Sequence, residues 1–541
     1  MKVDNLHIRS RFKNLENVEM NFDEDHLMTV VVGRNGSGKS NVLEALVLIF
    51  RNLDLGEPPP FSYKLQYSLG EENWERWLDI TIDADPSREG LAKQYQIMAK
   101  NKNETEATFK PLAFSKVKRD KKTKFAYYLP NFLFAYYSGP SDRLEIHFRK
   151  HRDDYYRELL YNKIDLRADI RPFFYAKPLH SKFVLMAFFL SAELEKERLF
   201  LKRELGIESL DSIHFVLRKP AWARAKADQF WGAGGVVREF IELLYPHALA
   251  PVKVTRNETA TSLTGKNIKN DFLHIFLPSV DSLHELAKQL TPSIFFTMLE
   301  STVLSEIISE VHVRVRVSYS SAPITFQELS EGEQQLLTVL GLLKFTGGKD
   351  SLFLLDEPDT HLNPAWAVKY LKFLREFVPN HETSHLLMVT HHPLAIAELE
   401  KEQVQVMWRD TSNQVHAQAP EESPRGMGYG GILTSDMFGL RTTLDNSTER
   451  LLRLRHRFTI KTVLSSTQAN RLRRIDKKLE SLGFTTAHWD EEYAQYLRIR
   501  RDIEKDLDST DNTPDLMRLR KERAKAIVQR ILAAERLEEN K

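Results

Sequence analysis

The 541-residue sequence contains no cysteine. That excludes disulfides, thiolate catalysis and zinc sites built on cysteine, and it suits a reducing cytoplasm. Strong charge of one sign is also missing. There are 77 Lys+Arg against 75 Asp+Glu, a net of +2, so any nucleic-acid contact must come from local patches. No window of eighteen residues is apolar and uncharged. The best run, "FVLMAFFLSAEL" at 183–194, is too short for a bilayer and passes into "EKER", which predicts a buried helix. The opening "MKVDNLHIRSRF" lacks the apolar stretch of a signal peptide. Together these absences predict a cytoplasmic protein with no membrane partner. Internal repeats are missing too, and no heptad persists long enough for a long coiled-coil arm.

What is present is a sizeable apolar fraction, 42%, on a chain long enough for roughly two to four domains. Residues 1–139 begin with short strands. Then come "LMTVVV" at 27–32, a glycine-rich turn and a helix from Ser40 to Phe50, an α/β opening. "FSYKLQYSL" and "WLDITID" alternate as strands do. "KVKRDKKTK" at 116–124 reads as a solvated basic loop, with a phosphate-backbone contact as the alternative. Residues 140–310 predict a mainly helical insertion, because apolar residues recur at three- and four-residue spacing; "WGAGG" at 231–235 reads as a loop or helix junction within it.

The α/β pattern resumes over 311–440. In "VHVRVRVSY", Val311, Val313, Val315 and Val317 share one face of a half-buried strand, with His312, Arg314 and Arg316 on the other. "SLFLL", a helix near 364–378, "LLMVT" and "VQVMW" follow. The fold class expected is α/β: a mixed sheet flanked by helices, interrupted by the helical insertion and followed by a charged helical tail, 441–541. Over 450–541 there are 22 Lys+Arg against 15 Asp+Glu, which marks the tail as a candidate partner-docking region.

"GRNGSGKS" at 33–40 fits G-x-x-x-x-G-K-[ST] between a strand and a helix. Gly33, Gly36 and Gly38 let the backbone wrap phosphates, so that amides from Gly33, Arg34, Asn35, Gly36, Ser37, Gly38 and Lys39 and the helix start near Asn41 can face ATP. Lys39 is placed to reach the β- and γ-phosphates and Ser40 to hold Mg²⁺. "SLFLLDEP" ends an apolar strand in Asp356, a second Mg²⁺ ligand, and Glu357, which can polarise the attacking water. "VTHH" ends the next strand. His391, favoured over His392, can meet the γ-phosphate and orient water. "LSEGEQQ" at 329–335 is a polar helix start with no local task.

In this order the four motifs resemble the ATP-binding-cassette ATPases, where "LSEGEQQ" is the signature motif. The resemblance rests on residues 1–50 and 311–408. Glu331 stands where transporters have Gly, and the insertion also points away from transporter cassettes. Both point to the branch of RecF, chromosome-maintenance and OLD-type ATPases. "VVVGRNGSGKSNVLEAL", "FAYYSGPSDRLEIHF", "LLDEPDTHLNPAW" and "GYGGILTSDMFGLRTTLD" look like the PtuA-type ATPases of Septu anti-phage systems, which also accompany some retrons.

This resemblance implies hydrolysis of ATP to ADP and phosphate by a homodimer or higher oligomer with ATP sandwiched between heads. Ser330, Gly332 and Glu333 of one copy would face the phosphates held by Lys39 of the other. It also implies an HNH nuclease partner, in some systems with a reverse transcriptase and its DNA–RNA product. A DNA repair or chromosome clamp without a nuclease is the alternative.

The glutamine that links ATP to the insertion in this family is left between Gln66 and the "YYSGPSDR" segment at 136–143. Arg11 and Lys13 are candidates for nucleotide contact or for a surface role. Asn363 replaces the Asp of transporters. "HETSH" at 381–385 matches the zinc-protease pattern but runs straight into a strand, so it reads as a connecting loop. "DLDSTDNTPD" at 506–515 reads as a solvated loop, which leaves the chain without a nuclease site of its own.

Overall fold

A computed structural model describes residues 1–484 except 73, 75, 105–106, 121–124, 161–170, 192–193, 224–228, 259–267, 460 and 462–463, together with scattered positions between 518 and 529. At its centre is a seven-stranded sheet. From one edge to the other its order is Val415–Gln418, Val404–Arg409, Met28–Gly33, Ser384–Val389, Ser351–Asp356, Phe132–Tyr137 and Phe173–Tyr175. All neighbours run parallel except the first pair. Parallel strands are covered on both faces, so they read as continuous apolar runs. "MTVVVG", "SLFLLD" and "SHLLMV" are buried at every position.

The two faces of this sheet feed two cores. Val31, Leu352, Leu354, Leu387 and Val389 pack toward the helix Lys39–Leu55 and a six-stranded antiparallel sheet built by residues 2–112. Its strands Tyr63–Leu69 and Leu78–Ala84 are the two the alternation predicts. The helix outruns the expected Phe50 by more than a turn and stops at Gly56, whose φ of 71° lets its amide turn back to Asn52 and Leu53. Met28, Val30, Val32, Phe353 and Leu355 pack on the opposite face. There they meet the helices His180–Leu190, Glu331–Thr346 and Pro364–Phe377. The first of these holds most of the 183–194 run expected to be a buried helix, but it starts at His180 and stops at Leu190, where Ser191 turns extended. It is apolar all round, and a Cβ on Gly341 of its neighbour would overlap Val184, so the two helices touch closely.

The 140–310 interval carries helices, as expected, but also a sheet that the helical reading leaves out. Val252–Glu258, Ile268–Leu277, Ile207–Arg218, Ile308–Val317 and Ile324–Thr325 form a five-stranded antiparallel sheet in that order. Ile207–Arg218 pairs with Ile308–Val317 through three register shifts, which break the two-residue alternation that would reveal a strand. "WGAGG" is a turn that leads into the helix Gly235–Leu244.

In the basic 116–124 loop Lys116 and Lys118 are exposed, as a solvated loop requires, but Arg119 is turned inward: its Nε donates to Asp54 at 2.7 Å, because that buried carboxylate, also bonded to His151, requires a counter-charge. Residues 121–124 lie outside the described residues. In the tail, Asn446–Thr459 and Ser466–Ser481 pack on each other through Arg455 and Asp476. The 506–515 stretch lies outside the described residues. Among the described residues no helix is long and apolar enough to cross a membrane.

Candidate active site

The strands ending at Gly33, Asp356 and Val389 lie side by side in the central sheet, so the three loops that leave them are neighbours. Ligands of open α/β sheets collect at such strand ends. The loop 33–40 needs glycine for specific reasons. Gly33, Gly36 and Gly38 have φ of 140°, 80° and 103°, a region L side chains rarely enter. A Cβ on Gly33 would also lie 2.1 Å from the Met407 carbonyl. Arg34, Asn35 and Gly36 are exposed at the crest, while Ser37 is buried with its hydroxyl unpartnered among the described residues. Arg34 donates to the Gly439 carbonyl at 3.2 Å, so the segment after the central sheet closes on the flank of the loop. A cavity of about 160 Å³ lies between them.

Lys39 opens the helix and folds back over the loop, its Nζ donating to Gly33 O at 2.8 Å and Arg34 O at 3.3 Å. Burial lowers its pKa from the ordinary value, and the charges of Glu357 and Asp356 oppose that shift. Ser40 Oγ donates to Asp356 Oδ1 at 2.9 Å. Asp356 is fully buried, and burial pushes its pKa up to about 6 against that hydrogen bond. Its Oδ2 has no partner among the described residues. A buried carboxylate with one oxygen orphaned and a hydroxyl on the other suits a hard divalent cation such as Mg²⁺. Mg²⁺ there would be held by Ser40 and Asp356 and would offset phosphate charge.

Glu357 follows in a left-handed conformation, φ 52°, that non-glycine residues rarely adopt. Its amide donates to Val389 O, and its carbonyl accepts from Thr360 Oγ1 at 2.8 Å and from Gln335 Nε2 at 3.4 Å. The turn aims its carboxylate at the next strand end, where His391 Nδ1 stands 3.2 Å from Oε1. His392 is turned into its own loop, its Nδ1 accepting from the Leu394 amide.

Behind the phosphate loop is a network that the motifs do not announce. Arg143 donates to Asn41 and, at 2.9 Å, to Glu44. Asn14 accepts from Asn41 and donates to Gly36 O. Lys13 pairs with Glu44, while Arg11 donates to the Lys13 carbonyl. Asp359, buried and pushed up to about 6 by that burial, accepts from Thr390 Oγ1 at 2.7 Å. This ties the loop after Glu357 to the one that carries His391. Of the two candidates for the linking position, Gln66 lies mid-strand in the six-stranded sheet, 3.5 Å from Thr81. The 136–143 segment leaves the central sheet beside Asp356, Ser138 N donating to its carbonyl.

Ser330 caps the helix Glu331–Thr346 in a reciprocal pair with Glu333 and is exposed. Gly332 and Gln335 anchor that helix against His361: the His361 amide donates to Gln335 Oε1 at 3.1 Å. Asn363 caps the helix Pro364–Phe377 by accepting from the Trp366 amide. "HETSH" is one short turn running into a strand, and its His385 is buried, accepting from the Val3 amide.

Residues 136–397 match the family model described as "AAA domain, putative AbiEii toxin, Type IV TA system", and residues 1–200 match "AAA ATPase domain". Matches to AAA ATPase family models thus run over residues 1–397. The chain is similar to the Septu protein PtuA of Bacillus mycoides (strain KBAB4), with 24% identity over 161 residues. That match takes in 28% of this chain and 22% of the relative, so it spans about a fifth of the relative's length. Two solved structures are similar at lower identity. The SMC head domain from Thermotoga maritima is 13% identical, with a TM-score of 0.31, covering 78% of this chain and all of that one. Stu0660 of Streptococcus thermophilus is 10% identical, with a TM-score of 0.25, covering 91% and 99%.

Proposed function

We propose that this ATPase is the ATP-driven switch subunit of an anti-phage defence complex. The observation that carries its chemistry is the meeting of Ser40, Asp356, Glu357 and His391 at adjacent strand ends beside the phosphate loop. In this reading Lys39 and the loop amides hold the β- and γ-phosphates. Glu357 orients a water and accepts its proton as the water oxygen bonds to the γ-phosphorus and the bond to ADP breaks. His391 steadies the water and the γ-phosphate.

Ser330 and Gly332 of a second copy would complete the site. The exposure of Ser330 supports this, because it leaves the helix start free to meet another molecule. The reading that hydrolysis controls an HNH nuclease, in some systems beside a reverse transcriptase and its DNA–RNA product, is supported by the likeness to PtuA. Mass spectrometry of the natively purified complex tests it. A co-purifying nuclease is the expected result; a chain that purifies alone and hydrolyses ATP only with DNA would make it a clamp instead.

A further inference from the structure

The strand Ile308–Val317 has one face unaccounted for by the ATPase. Its valines enter the core, while His312, Arg314 and Arg316 stand exposed on the outer face of the five-stranded sheet. Neighbouring strands extend this pattern. His214 lies directly opposite His312, and His274 lies on the strand beyond, its Nδ1 2.9 Å from His214 Nε2. The His214 ring is 5.1 Å from that of His274 and 5.7 Å from that of His312, at 27° and 29° between planes. Three imidazoles therefore form a row across three strands, with His214 and His274 meeting edge to edge through the 2.9 Å hydrogen bond between their rings. Phe276, 37% exposed, sits edge-on to His214. Arg256 covers Phe272 with its guanidinium 4.1 Å from the ring centre.

Among the described residues, exposed arginines outnumber carboxylates on this face by three to two. Arg256, Arg314 and Arg316 are exposed, against Glu310, which holds Arg256 and His312, and Asp211, which holds Arg316. A protein-docking face would need a continuous apolar patch at its centre. Here the centre is imidazole, and the exposed Val252 and Val254 lie on the edge strand.

We propose that this face binds a single strand of nucleic acid, with bases stacked on the imidazole row and Phe276 and phosphates met by Arg256, Arg314 and Arg316. An open sheet bearing rings and cations suits unpaired bases, whose faces are free, and offers a duplex only charge. The same strand continues through the hairpin 318–323 into Ile324–Thr325 and on to Ser330. The surface thus adjoins the helix start that the ATPase reading places against nucleotide, although binding itself does not depend on that reading.

The test is fluorescence anisotropy of the full-length protein, without ATP, using a labelled DNA strand of roughly 20 nucleotides across a salt series. His274→Ala with Phe276→Ala should weaken binding about tenfold or more and leave the salt slope unchanged. Phe276→Leu, which keeps the apolar bulk, should reproduce part of that loss. Arg314→Ala with Arg316→Ala should weaken binding and flatten the salt slope by about 1.4. Unchanged affinity and slope in both pairs, with melting temperatures preserved, would overturn the proposal. So would a duplex of the same length binding as tightly as the single strand. A change of oligomeric state with nucleic-acid binding intact would make the face an interface between copies.

Discussion

His391 Nδ1 stands 3.2 Å from Glu357 Oε1, each at the end of one of two adjacent parallel strands. Glu357 is held there by a left-handed backbone and a bond from its amide to Val389, so the backbone itself aims its carboxylate. Glu357→Gln keeps the shape and removes the base. Phosphate release should fall by roughly 10²- to 10⁴-fold while ATP stays bound, and an ATP-dependent dimer should persist on size exclusion. Normal turnover in this variant would remove Glu357 from the chemistry. His391→Ala should lower the rate with less effect on nucleotide binding.

Ser330 has two roles to separate. Its hydroxyl caps a helix, and its exposure offers it to a second copy. Ser330→Ala loses both, including about 1 kcal/mol of cap. Asn caps about as well as Ser and its amide can still donate to Glu333, but it is bulkier and has no hydroxyl, so Ser330→Asn should keep the melting temperature and lose hydrolysis and ATP-dependent dimerisation. If Ser330→Asn hydrolyses ATP like the parent, Ser330 is a cap alone.

Gly332 is close-packed for a reason outside its own helix. A Cβ there would lie 2.5 Å from the His361 carbonyl, so the loop after Glu357 has to shift. Gly332→Ala should slow turnover about tenfold, through overpacking of roughly 1–3 kcal/mol. Nucleotide binding measured at low protein concentration should stay close to normal, because Lys39 and Ser40 are untouched. An equal loss in binding would show that the displaced loop supports the phosphate loop as well.

The central strands were readable because burial on both faces leaves uninterrupted runs such as "TVVV" and "LFLL", and the strand ends then place Gly33, Asp356 and His391 together. The sheet around Ile207–Arg218 was not, since its register shifts scatter the alternation that the regular strand at Val311 displays plainly. The network at Glu44 was hidden for another reason. Its partners Lys13, Arg143 and His147 lie 31, 99 and 103 positions away, and a carboxylate on a largely apolar helix carries no local sign of them. Motifs expose the residues that touch ligand. The groups that hold those residues are distributed along the chain by the fold.

Glu44 supplies a pH-dependent test of that support. It accepts from His147 at 3.1 Å, Lys13 at 2.5 Å and Arg143 at 2.9 Å, with its side chain 3% exposed. Burial pushes its pKa up. The hydrogen bonds from His147, Lys13 and Arg143 outweigh that and bring it from the ordinary 4.5 down to about 2. A carboxyl whose folded value is depressed adds stability that is fully present above 4.5 and is lost as the pH falls through about 2. Glu44→Gln leaves Lys13 and Arg143 facing a neutral amide. At pH 7 it should cost roughly 1–3 kcal/mol, less than a fully buried ion pair because Lys13 is open to solvent. The deficit should shrink between pH 4.5 and about 2, where the parent loses the same charge. Thermal unfolding of both proteins over that range measures it, and a deficit constant with pH would show that Glu44 acts by packing and not by charge. Because Arg143 also holds Asn41 beside the phosphate loop, the variant should raise the KM for ATP at pH 7. An unchanged KM would confine the network to stability.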